Sequence, residues 1–271
     1  MDDIADLRVT EGFVFINDES PDCLKAATAG MRVTLPVLAP PWIVVDHVLE
    51  RMLVTSWPGR LFRARVVPPT TNEERAAMAR AATGLLPHAG YTRAFAVDLL
   101  EELPSSALFG PHGANVLRVF EAASALDEQT ACALESARHP AAEQEYGKAW
   151  KRWLTQLPAG TPYRNHDHTT TLAIPEADPS GSPIGDGFSV MWATVNRSAR
   201  DRGSAGSLTL DEDGNHFLAD PWQSALGALL DTAMALGAPH LMDNYAVTVL
   251  TAAWNTVIEP RSSTGTDAPH A

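Results

Sequence analysis

The chain has little cysteine. Only two occur in 271 residues, Cys23 and Cys132. Two thiols allow one bridge at most, which excludes a disulfide-framework fold and leaves reduced, buried cysteines in a cytosolic protein as the expectation. A long apolar run is also missing. The most apolar stretch, Val33 to Val45, is broken by Pro36, Pro40 and Pro41 and ends at Asp46, so it is too short and too interrupted to cross a bilayer. The residues Met1-Asp2-Asp3-Ile4-Ala5-Asp6 are acidic where a secretory signal would be basic. Positive charge is scarce as well: 20 basic residues stand against 33 acidic ones, a net charge of −13. A protein that grips DNA or RNA must neutralise phosphates, so this balance argues against nucleic acid as a partner. The expectation is a soluble, cytoplasmic, acidic protein that engages no membrane. Its frequent Ala, Arg, Pro and Gly suit the GC-rich codons of a bacterium.

What is present is ordinary for a folded chain: 45% hydrophobic and 20% charged residues. The length fits one large domain or two small ones. The fold class read from the pattern is α+β: mixed strands and helices, a helical middle section and an antiparallel hairpin element in the second half. Residues 1–258 read as a single domain, with any sub-domain boundary near 158–162. Residues 259–271, polar and rich in Ser, Thr and Pro, read as a disordered tail.

Along the first half, Gly12 to Ile16 reads as a strand. Ser20-Pro21 opens a helix that Gly30 stops, and Arg32 to Leu38 is strand-like. Trp42 to Trp57 is expected to be a helix, because Val44, Val45, Val48, Leu49, Met52 and Leu53 recur at three- and four-residue spacing. Leu61 to Val67 alternates, with Phe62, Ala64 and Val66 on one face and Arg63 and Arg65 on the other, and Pro68-Pro69 closes it. Thr71-Asn72-Glu73-Glu74 is a capping box at the head of a helix running to Thr83. Tyr91 to Leu99 suits either a strand or a helix.

Ala114–Leu126, Asp127–Arg138 and Ala141–Leu157 form the helical middle. In the second half, Thr169–Ile174 and Phe188–Arg197 are expected strands, the latter central because both of its faces are apolar. Leu208–Leu210 and His216–Leu218 flank an Asp-Gly pair that signals a hairpin. Asp220-Pro221 caps a helix from Trp222 to Leu236, and Tyr245–Ile258 is a last helix or a buried strand.

The strongest chemical signal is His166-Asp167-His168. Two imidazoles two residues apart on a strand share a face and can share one metal ion. His216, on the later hairpin, is a candidate third ligand. The expected site is therefore catalytic or metal-binding at His166 and His168, with His216 completing the ligand set and a divalent transition metal as the cofactor it would hold. The spacing Gly160-x5-His166-x-His168 resembles the opening of the cupin metal motif over nine residues. Cupins follow it with a glutamate, where this chain has Leu172-Ala173-Ile174, and the chain is not assigned to that family. Read without function, the pair is the polar start of a strand.

Weaker signals surround this one. His88 and His112 sit in Pro/Gly loops, suited to acid/base work or simply to turns. Gly110-Pro111-His112-Gly113 precedes a helix, a place where backbone N–H groups meet anions. Gly203-Ser204-Ala205-Gly206-Ser207 reads as a hairpin loop, and Cys132 reads as helix core. Arg60, Arg63 and Arg65 read as a solvated strand face, and Lys148, Lys151 and Arg152 as the polar side of a helix. Two functions remain. The first is a small-molecule enzyme or binding protein built on the histidines. The second is a non-catalytic, acidic, tryptophan-bearing module that docks a protein partner.

Overall fold

The computed structural model describes residues 11–49, 52, 54, 57–82, 91–156, 183–185, 187–210 and 216–260. Strands dominate the first part: β1 (Glu11–Asn17), β2 (Arg32–Thr34), β3 (Ile43–Asp46), β4 (Gly59–Val66), β5 (Tyr91–Ala94) and β6 (Ala96–Leu103). Among them lie the short helix α1 (Asp22–Lys25) and α2 (Asn72–Ala82). Helices dominate the rest: α3 (Gly113–Ser124), α4 (Glu128–Ala137), α5 (Ala142–Gln156), α6 (Gly187–Arg202), α7 (Trp222–Gly237), α8 (Asn244–Leu250) and α9 (Ala252–Val257). The hairpin β7 (Leu208–Leu210) and β8 (His216–Leu218) stands between α6 and α7. The fold is mixed α+β, with the helical middle and the antiparallel hairpin that the sequence pattern implies.

The six strands form one antiparallel sheet in the order β2-β6-β4-β1-β3-β5. Only Phe95 separates β5 from β6, so the strand at one end of that order runs straight into the second strand from the other end. The sheet must therefore curl on itself into a small barrel. Its interior is filled by Val14, Ile16, Ile43, Val45, Phe62, Ala64, Val97 and Leu99, the inward residues of alternating strands. Outward charges pair across strands: Arg65 with Glu11, Arg60 with Glu102, and Arg32 with Asp98. The arginine face expected on β4 is thus part of an exposed ladder of ion pairs, which solvent screens and which adds little stability.

A second core lies between the barrel wall and the helices. Leu61 of β4 turns away from the barrel interior and into it. Trp57 binds the two layers. Its ring lies 5.9 Å from Phe15 on the barrel and 5.7 Å from both Phe109 and Phe120 on the helical side. Arg197 of α6 reaches across the same seam, donating to the Trp57 carbonyl and to Asp18. Helix α7 runs through the middle of the helical layer, with Trp222, Leu226, Leu229, Ala233 and Met234 all buried.

Several local expectations are corrected. Trp42–Trp57 is not a helix: β3 occupies Ile43–Asp46, and Met52 and Val54 are buried outside any helix. The β-branched run Ile43-Val44-Val45 alternates buried, exposed, buried, and that period of two outweighs the helical spacing. Phe188–Arg197 is not a strand but part of α6. Val190, Met191, Thr194, Val195, Ser198 and Ala199 are its buried stripe, and a wide helical stripe mimics a strand that is apolar on both faces. The helix after Ser20 spans only Asp22–Lys25. Gly203–Ser207 joins α6 to β7, not strand to strand. Neither cysteine is buried; Cys132 lies on the exposed side of α4. Tyr91–Leu99 proves to be strand, and Tyr245–Ile258 proves to be helix.

Candidate functional site

His166 and His168 lie outside the described residues, as does His88. His216 opens β8, opposite Leu210, and is exposed. Among the described residues no three His, Cys, Asp or Glu side chains come close enough to hold a metal ion. His112 is the exposed residue at the head of α3. The glycine after it serves packing: a Cβ at Gly113 would lie 1.8 Å from the Ser106 carbonyl oxygen.

A concave site does form, on the outer surface of the barrel. Pro68-Pro69 cannot continue the ladder, so after Val66 the chain leaves the sheet and turns into α2. Thr71 and Glu74 then cap that helix reciprocally, as their spacing predicts. The Glu74 N–H donates to Thr71 Oγ1 at 3.1 Å, and the Thr71 N–H donates to Glu74 Oε2 at 3.0 Å. Donation from the backbone N–H groups of Thr71 and Thr70 holds the Glu74 carboxyl below the usual carboxylate range. The departing chain, α2 and the β5–β6 bend enclose a groove of about 230 Å³.

Val66, Pro68, Pro69, Met78 and Phe95 give the groove apolar lining. Arg32, Thr34, Thr70, Glu74, Thr92 and Arg93 give it polar lining. Arg32 makes a two-pronged pair with Asp98, at 2.7 and 2.9 Å. Arg93 lies over the Tyr91 ring, its guanidinium carbon 5.7 Å from the centroid. Glu74 is occupied by its three bonds to Thr70 and Thr71. No histidine, cysteine or unshared carboxylate lines the groove among the described residues. The mixed apolar and polar lining suits binding.

The other chemically notable group is Asp231, on the buried run of α7. Arg138, at the end of α4, donates to it from Nε at 2.8 Å. Burial pushes the Asp231 carboxyl above its ordinary range, against the pull of the Arg138 guanidinium. Burial also raises the neighbouring Tyr146 hydroxyl, with the Asp231 charge adding to the shift. This network joins α4, α5 and α7, and its ion pair is complete within the fold.

The sequence reading missed the groove. Its one signal was Pro68-Pro69, read as the end of a strand and not as one wall of a cleft. No known protein family, curated protein or solved structure matches the chain.

Proposed function

We propose that this protein is a non-catalytic interaction module whose groove receives one apolar side chain from a protein partner. One observation carries the reading: the groove is about 230 Å³, below the roughly 300–1,000 Å³ of pockets that engulf a metabolite. It is the right size for a single anchoring side chain, and its apolar lining by Val66, Met78 and Phe95 gives such a side chain contact. Neither cysteine is bonded, which fits a reducing cytoplasm. No helix among the described residues is long and apolar enough to cross a membrane.

Methionine-methyl NMR tests this reading. The probe is a set of capped tetrapeptides, each carrying one Val, Leu, Ile or Phe. The Met78 methyl signal is expected to shift on titration, and Met78→Arg, followed by titration calorimetry, to abolish peptide binding. Nucleotides or sugar phosphates that shift this signal while no peptide does would overturn it.

The same-face spacing of His166 and His168 favours a second reading, a small-molecule enzyme or binding protein in which these residues and His216 hold a divalent transition metal. Elemental analysis of untagged protein decides it. Stoichiometric metal, lost in the His166→Ala/His168→Ala double variant, is the expected result under this reading, and metal-free protein whose melting temperature ignores added zinc, nickel and manganese would dismiss it.

A further inference from the structure

We draw no further inference here: the strongest candidate, the partly apolar groove between α2 and the β5–β6 bend, belongs to the site already described, and nothing in the structure shows what covers that face.

Discussion

At the scale of single residues, the most consequential side chain is Asp231. It is buried on α7 and answered by Arg138. The two halves of this pair are not equivalent. Arg138→Ala strands a buried carboxylate and is expected to cost about 2–4 kcal/mol in denaturant unfolding. Asp231→Asn removes the buried charge, keeps the shape and leaves a guanidinium that solvent already reaches, so it should cost clearly less. The pH dependence has a definite sign. Burial raises the folded-state value of Asp231 above its ordinary 3.8. Its contribution to stability is therefore full at low pH and fades as pH rises through the folded value. Between pH 4 and neutrality the wild-type protein should lose stability relative to Asp231→Asn, as read from paired melts. A curve for the variant parallel to wild type would contradict this. Nothing in the sequence marked Asp231, since an aspartate within an apolar helix is visible as a oddity only once its partner, 93 residues away, is in place.

At the scale of elements, legibility followed the range of the forces involved. The α2 capping box was readable because both of its bonds close within four residues. The α3, α4, α5 and α7 helices and the β7–β8 hairpin were readable for the same reason: stripe, cap and turn are local. The β3 strand and α6 were misread because each carries a pattern that fits two structures until neighbours select one. Val44 is exposed only because β1 and β5 flank β3 on either side. The site followed the same rule. Its histidine signal was local and falls largely outside the described residues, whereas the groove is assembled from β2, β4, α2, β5 and β6 and leaves no contiguous trace.

The head of α3 gives the element-scale prediction. A Cβ at Gly113 would collide with the backbone of Ser106, in the 3-10 turn Ser105–Phe109. Backbone cannot rotate away as a side-chain tip can. Gly113→Ala is therefore expected to cost at least about 1–3 kcal/mol, measured by chemical denaturation. A neutral outcome would show that the turn moves freely against the helix.

At the scale of the whole molecule, two cores meet at one indole. The barrel fills itself with its own inward residues, and its outer wall, through Phe15, Leu61 and Trp57, completes the core of the helical layer. Composition foresaw enough apolar material for a sizeable core. It did not foresee the division into two, because that depends on Leu61 and Phe62 of one strand pointing to opposite sides. The negative charge of the chain is not spread evenly either: along the barrel wall the acids are tied to arginines.

The bend at Phe95 has a consequence for how the molecule is made. The run from Tyr91 to Leu103 joins β5, at one end of the sheet, to β6, the partner of β4 near the other end. A nascent chain still short of Tyr91 can pair β1 with β3 and β4, but the ring stays open, with the valines and isoleucines meant for its interior facing water. Synthesis must pass this clasp before the first part of the protein can shut, and until then the emerging polypeptide is a natural client for whatever shelters apolar surface at the ribosome exit.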